Sequence, residues 1–554
     1  VDIVPVPPPA DLPAVLRTHV APERVLTRAI DRVAFAADAS FYRLIPRAVV
    51  LARDAGEVRA LLRASREHRV PLTFRAAGTS LSGQSITDGL LVEVARHWRG
   101  ITVEDEGRRV RVQPGAIGGV VNQTLKRYGA KIGPDPASIN TCTIGGILSN
   151  NSSGMCCGVS QNAYHTLESL TFVLPSGTQV DTGRPGADDH LRAVEPALWA
   201  GLLELRAAVL ANGPLASRIR DKYRMKNTTG YSLNALLDYE RAVDILAHLL
   251  IGAEGTLGFI AEAVLRTVPD LPVKYTGLLI YPSMHAACAS IVAWREAGAA
   301  ALEVMDRAAL RSVDTQAGIP AEIAGLPDGA TGLLVELQAA DERTRPDLER
   351  AAAETVGSMP LLLAPRFTHA AAGQAQLWRI RSGLFPSVGA VRRSGTTVII
   401  EDVAFPLPSL ADAAVDLTRL FRVHGYADAI VFGHAKDGNL HFVISQSFNR
   451  QADVDQYARF MDDVVPLVVD RYDGALKAEH GTGRNMAPFV EKEWGADAVA
   501  IMRRLKALVD PDHLLNPGVI LNDDPRAHLA DLKPLPTVEA EVDKCIECGY
   551  CEPK

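Results

Sequence analysis

Three glycine- and hydroxyl-rich stretches separate strand-like runs in the first half of this chain. They read FRAAGTSLSGQSITDG (74–89), GPDPASINTCTIGGILSNNSSGMCCG (133–158) and GAEGTLGFIAEAVL (252–265). Each brings small residues and hydroxyls to places where backbone N–H groups approach an anion closely. Between them, short apolar runs such as RAVVLAR and GLLVEVA alternate with helical patterns such as DAGEVRALLRASREH. The texture is α+β. Neither common nucleotide fingerprint is present: no G-x-G-x-x-G follows a strand, and no G-x-x-x-x-G-K-[ST] occurs. Three such loops in one region point to a groove for a large phosphate-bearing cofactor.

The chain has 554 residues, too many for one core, and divides in pattern at PDLPV (269–273), where two prolines interrupt regular structure. The expected organisation is an N-terminal arm over 1–44, a cofactor domain over 45–270, a second α+β domain over 271–522, and a polar, proline-containing linker from 523. A formal charge of −7 leaves no basic footprint for nucleic acid. No apolar run reaches membrane-spanning length, and the opening residues lack the basic-then-apolar order of a secretory signal. Cytoplasmic placement, with peripheral membrane contact as the one extension, is the expectation.

The second region contains VFGHAKDGNLHF (431–442), two apolar runs joined by Asp437-Gly438 with His434 and His441 on either side. An Asp-Gly pair between alternating residues reads as a hairpin. The histidines are either satisfied within it or half of a metal site. LKAEHGTGRNM then supplies Glu479 and His480. Two imidazoles and a carboxylate suit Zn²⁺-type ligation with an open position, and an adjacent histidine is free to act as a base. A solvated loop over 479–480 is the competing reading.

These segments carry a resemblance. RAAGTSLSG, GPDP…TIGG and GAEGTLG resemble the FAD-binding domain of the vanillyl-alcohol-oxidase/p-cresol-methylhydroxylase (PCMH) superfamily, over about 45–270. GHAKDGNLHF, KAEHGTGR and LLNPGVIL resemble the FAD-linked oxidase C-terminal (substrate and cap) domain of D-2-hydroxyacid dehydrogenases, which include D-lactate and D-2-hydroxyglutarate enzymes. The resemblance implies FAD contacts from Arg75, Ala76, Gly78, Thr79, Ser80, Gly83, Pro134, Asp135, Thr143, Gly145, Gly146, Asn150, Ser153, Gly154, Glu254, Gly255, Gly258, Ile260 and Asn516. Some members tether the flavin through a histidine in R-S-G-G-H. Thr79 holds that position here, which implies non-covalent FAD.

The same resemblance implies His434, His441 and Glu479 as ligands of a divalent metal, zinc or manganese, with His480 as catalytic base and Arg381 as the clamp on the substrate carboxylate. Hydroxyglutarate-specific relatives place a lysine near TTVIIEDVAFP, where this chain has Ile400, Glu401 and Asp402. Arg392 or Arg393 is then the replacement, or the acid is shorter, such as D-lactate.

Finally, Cys545, Cys548 and Cys551 match the first three ligands of a C-x₂-C-x₂-C-x₃-C-P iron–sulfur run. The resemblance implies the flavin half of a larger fusion, in which a 4Fe-4S module passes electrons to a quinone or other carrier. An oxidase of glycolate type, passing electrons to O₂, is the alternative.

Overall fold

The computed structural model describes residues 11–313, 321–357, 359–382, 384 and 392–545. Two sheets build the first half. In the four-stranded sheet, Ala48–Leu51, Leu90–Glu93 and Leu72–Arg75 run parallel, and Val25–Leu26 adds antiparallel at one edge. The parallel strands are short and almost wholly buried, as strands covered on both faces are. The six-stranded sheet is antiparallel around the long strand Phe259–Pro269, which pairs with Arg109–Val112, Leu167–Val173 and Ala130–Ile132.

At 270–272 the chain passes into a seven-stranded antiparallel sheet. Its order is Arg366–Thr368, Val273–Tyr281, Thr331–Ala339, Ala301–Met305, Ile430–His434, Asn439–Gln446, Thr397–Ala404. One face packs Leu302, Val304, Val335, Val431 and Phe442 against the helices Leu410–Val423 and Gln451–Pro466. The other face starts apolar, with Met305, Leu334, Ile400, Phe432 and Val443. Alternation along the strands puts Glu303, Asp402, His434 and His441 on this same face.

The Asp437-Gly438 hairpin forms as read. Ile430–His434 pairs with Asn439–Gln446 in the register Phe432↔His441. Gly438 has φ +71°, and a Cβ there would stand 2.1 Å from the Phe405 carbonyl oxygen, so only glycine closes this turn.

Three stretches sit differently from their sequence pattern. The N-terminal arm is integral: Leu12, Leu16, Val20 and Val25 lie in the core of the four-stranded sheet. Residues 490–520 leave the seven-stranded sheet and return to the first half. Trp494, Met502, Leu505 and Val509 pack in its main core, and Leu515 bridges Leu72 in parallel. Helical amphipathicity announces a buried face but not which core receives it.

The segment after 523 is a strap held across the molecule. Tyr42 bridges Leu532, Arg43 N–H donates to Asp531 O at 2.8 Å, Lys533 N–H to Phe41 O at 2.9 Å, and Leu535 N–H to the Asn449 side chain at 2.9 Å. Apart from the buried His528 and Lys533, its polar side chains are largely exposed while its backbone bonds to the body, so composition alone reads as linker.

His528 pins the strap. Its ring lies 4.8 Å from the Phe489 ring, its carbonyl accepts the Tyr42 hydroxyl at 2.8 Å, and neither ring nitrogen has a hydrogen-bond partner among the described residues. Burial, then nearby Arg526, lowers its pKa to about 4. Between pH 6.5 and about 4 the unfolded chain therefore binds a proton that the folded chain refuses. The stability this group contributes is complete above pH 6.5 and falls as pH drops toward 4, by about 3 kcal/mol in all. His528→Phe should flatten that part of the acid loss, read as thermal midpoints at pH 7 and 4.5. An unchanged pH slope would show that the strap is pinned elsewhere.

Candidate active site

The charged end of the seven-stranded sheet meets the glycine loops of the first half at one cavity. On the sheet side its walls include Arg381, Ile400, Phe432, His434, His441, Glu479 and His480, and on the loop side Thr79, Ser80, Leu81, Gly146, Ile147, Asn150 and Ser153. Thr79, Ser80, Gly146 and Asn150 also line a second cavity, which continues past Ala76, Gly78, Thr143, Gly145, Glu254, Gly255, Gly258 and Ile260. The two form one groove.

His434 and His441 turn their Nε2 atoms to the same oxygen, Glu479 Oε1, at 3.0 and 3.5 Å. These three donor atoms lie within 4.8 Å of one another. The sequence did not disclose what orients them. Glu303, directly opposite His434 on the next strand, accepts from His434 Nδ1 at 2.7 Å, leaving Nε2 for the centre. Glu303 also pairs with Arg381 Nε. On the far side, Glu479 Oε2 accepts the Ser153 hydroxyl at 2.7 Å and the buried Lys226 ammonium at 3.2 Å. Burial alone would raise the Glu479 carboxyl, but Lys226 and then His434 hold it well below its ordinary range. His441 is buried neutral, its pKa lowered to about 3 chiefly by burial. An ionised carboxylate and a neutral imidazole are the forms a metal takes.

His480 stacks on His441, ring centres 5.0 Å apart at 16°, with Nδ1 3.4 Å from Asp402 Oδ1. With Nδ1 turned to Asp402, Nε2 is the nitrogen left to carry a proton to or from the cavity. Asp402 Oδ2 accepts the Glu479 backbone N–H at 2.6 Å, so one carboxylate anchors the loop and stands beside the ring. Arg381 stacks its guanidinium over Phe432 at 4.5 Å. Its Nε is engaged by Glu303, and only the Nη groups remain for a substrate carboxylate.

The groove suits a flat, phosphate-bearing cofactor. A Cβ on Gly146 would meet nothing nearer than Ala76 Cβ at 3.8 Å, and one on Gly255 nothing nearer than Phe74 at 4.0 Å, so both open onto the groove. The buried Thr143 hydroxyl there has no hydrogen-bond partner among the described residues. For the metal, two imidazole nitrogens and a carboxylate oxygen are a fitting donor set.

Six residues expected at the flavin do not line the groove. Arg75 is fully buried and donates to Ala37 O at 2.8 Å. Gly83 packs on Tyr42, a Cβ there standing 2.7 Å from its ring. Asp135 accepts the Cys156 and Cys157 N–H groups behind the wall, beside Pro134, and bridges Gly154. Asn516 donates to Gln84 O at 2.8 Å and Glu254 O at 2.9 Å, bracing two loops from outside. Loop residues alternate between facing a ligand and holding the loop, and motif position does not separate the two roles. Gln84 was missed: it lines the groove and donates to His480 O at 2.9 Å.

Arg392 does not reach the cavity. Its guanidinium donates to Asp543 O at 2.6 Å and Cys545 O at 3.0 Å, on the strap, and Arg393 is exposed. Cys545 is exposed, while Cys548 and Cys551 lie outside the described residues.

Two family models match the chain. Residues 46–183 match the family model "FAD binding domain" and residues 272–520 match "FAD linked oxidases, C-terminal domain". The glycolate oxidase subunit GlcD of Bacillus subtilis (strain 168) is 26% identical over 491 residues, 88% of this chain and 91% of that protein. The D-2-hydroxyglutarate dehydrogenase of Pantoea ananatis (strain AJ13355) is 28% identical over 517 residues, 88% of this chain but 49% of that protein. The chain thus spans about half the length of that relative. Among solved structures, p-cresol methylhydroxylase with substrate bound shares the fold, with a TM-score of 0.65 at 13% identity over 92% of this chain and 96% of that one. Among the described residues no helix is long and apolar enough to cross a membrane.

Thr79 stands where the two cavities join, and a threonine forms no histidyl link to a flavin. Cys142, also at the wall, is kept a thiol because burial raises its pKa to about 11. Acid or heat denaturation should therefore release all bound FAD to the supernatant, measured by its absorbance at the visible flavin band. Flavin retained on the precipitated chain would show a covalent link.

Proposed function

From the premise that the chain carries the FAD-binding and FAD-linked oxidase C-terminal domains of the vanillyl-alcohol-oxidase/p-cresol-methylhydroxylase flavoproteins, we propose that it oxidises a D-2-hydroxyacid to the 2-oxoacid, dependent on a divalent metal. The observation that carries this reading is the convergence of His434, His441 and Glu479 beside His480 and Arg381, in a cavity continuous with the cofactor groove. A carboxylate with a neighbouring hydroxyl needs an anion clamp, a proton acceptor and an electrophile, and these residues correspond to the three needs.

When bound, FAD accepts the two electrons with the C2 hydrogen, and the divalent ion lowers the pKa of the hydroxyl. The protein's residues do the rest. The Arg381 Nη groups orient the C1 carboxylate while Phe432 and Glu303 hold the guanidinium in place. His480 Nε2 receives the hydroxyl proton, and Asp402 at its Nδ1 steadies the imidazolium that results. Lys226 and Ser153 tie back Glu479 Oε2 so that Oε1 alone meets the two histidines.

The onward electron route is proposed through the cysteine run that begins at Cys545 to iron–sulfur clusters and a quinone or other carrier. The similarity to a glycolate oxidase subunit over nine-tenths of that protein supports a second reading, a glycolate-type oxidase that reduces O₂. Air reoxidation of the reduced flavin in stopped flow separates them: slow reoxidation is expected here, and a rate comparable with turnover would favour the oxidase.

Chelation should abolish flavin reduction by the hydroxyacid while the protein stays yellow, because the donor set and the glycine loops are separate groups of residues. His441→Ala should reproduce that state. Full reduction in metal-free protein, checked by elemental analysis, would sink the metal assignment.

His480→Ala should keep its metal and its FAD yet lose about 10²–10⁴-fold in the rate of flavin reduction. Asp402→Asn should lower the same rate by a smaller factor, since it alters only the tautomer and position of the ring. An unchanged rate in His480→Ala would remove this residue from the mechanism.

A further inference from the structure

We propose that the acid taken by this site carries an uncharged, apolar group on C2, so that D-lactate and its short alkyl homologues are accepted and dicarboxylic hydroxyacids are refused. The proposal rests on the hydroxyacid reading above and names the substrate class within it.

The first argument is the lining. The cavity wall includes the apolar side chains Leu81, Ile147, Ile400 and Phe432, while Thr79, Ser80, Ser138, Asn150, Ser152 and Ser153 bring hydroxyls and an amide on the loop side. Ile400 and Phe432 belong to the apolar cluster that also holds Val443, Met305 and Leu334, on the sheet face that carries His434 and His441. A C2 substituent directed along the sheet face at Ile400 and Phe432 meets side chains that offer it no hydrogen bond. An alkyl group gains there by leaving water, whereas a carboxylate would lose its hydration without replacement.

The second argument is an account of the nearby cations. Arg381 is paired with Glu303 and is the clamp for the C1 carboxylate. Lys226 is buried against Glu479 and Gly154 O. Lys477 lies at the opposite face of the sheet, paired with Glu401. Arg392 holds the strap carbonyls of Asp543 and Cys545. No Lys or Arg occurs in the sequence between Arg381 and Arg392. Against these stand the buried carboxylates Glu303 and Asp402 and the largely buried Glu479. A second substrate carboxylate would enter a region where each of these cations is already engaged and an acidic group is close by. Like charges without a counter-ion in a desolvated site are refused.

The test uses the FAD- and metal-loaded chain under anaerobic conditions. The second-order rate of flavin bleaching is measured with glycolate, D-lactate, D-2-hydroxybutyrate, D-malate and D-2-hydroxyglutarate. D-lactate and D-2-hydroxybutyrate should lead, with glycolate about 10-fold slower for want of the methyl contact and the two dicarboxylates at least about 100-fold slower. A binding readout without turnover comes from calorimetric titration with pyruvate, 2-oxobutyrate and 2-oxoglutarate, of which 2-oxoglutarate should bind weakest. Ile400→Lys, or Leu81→Lys at the partly exposed rim, should raise the ratio of D-2-hydroxyglutarate to D-lactate rates at least about 10-fold. Preference for either dicarboxylate in the unaltered chain, or tightest binding of 2-oxoglutarate, would overturn the proposal and leave the hydroxyacid reading intact. Bleaching by none of the five acids would overturn the hydroxyacid reading and this proposal with it.

Discussion

The carboxylate of Glu254 joins the two halves of this protein. It sits in the third glycine loop of the cofactor half and accepts the N–H of Thr482 at 2.6 Å on one oxygen and of Gly483 at 2.8 Å on the other. Those two amides follow Glu479-His480 after one residue, Gly481. Gln84 and Asn150, from the other two loops, grip the His480 carbonyl at 2.9 and 3.2 Å, and Thr228 accepts the Gly481 N–H at 3.1 Å. Side chains from all three cofactor loops thus terminate on one short segment of the chemical half. A peptide segment so fully bonded has little freedom of its own, and its position is set by the loops that also shape the flavin groove. Docking of cofactor and placement of the base are in this sense one structural event.

Around that junction the polar groups are arranged as carboxylate–imidazole pairs. Glu303 stands behind His434 and Asp402 behind His480, while Lys226 and Ser153 stand behind Glu479. Buried ionisable groups are costly when unpaired, and His434, His480 and Glu479 each have such a neighbour on the side away from the cavity, while His441 Nδ1 has no hydrogen-bond partner among the described residues. On the sheet side of the cavity, Ile400 and Phe432, two positions along their strands from Asp402 and His434, fall within the hydrophobic cluster of that face.

Much of this was legible in the sequence, and the exceptions share a cause. The histidine hairpin, the Glu479-His480 pair and the glycine loops announce themselves because turn geometry and metal-type ligation need particular residues at short spacing. Glu303, Asp402, Lys226 and Gln84 carry no such mark. Each belongs to an ordinary strand or loop and acquires its role only through pairing across a sheet or between halves, as Glu303 does by lying opposite His434. Conversely, Asp135, Gly154 and Asn516 lie in telling motifs but serve as braces behind the groove wall. The strap over 523–545 read as a linker because its bonds to Phe41, Arg43 and Asn449 are made by backbone, which composition does not report.

The return of residues 490–520 to the first core has a consequence for how the molecule is made. Leu72 exchanges backbone bonds with Leu514 and Asn516, at 2.9 Å each, across more than four hundred residues of chain. During synthesis the first half emerges long before Trp494, Met502 and Leu505 exist to complete it. Until they arrive, its helices expose the apolar surface those side chains will cover. Contacts of such long sequence separation form late and slowly, and partly built cores are prone to association in the interval. The first-encoded half is thus the last to close, and it closes only after residues 490–520 have been translated.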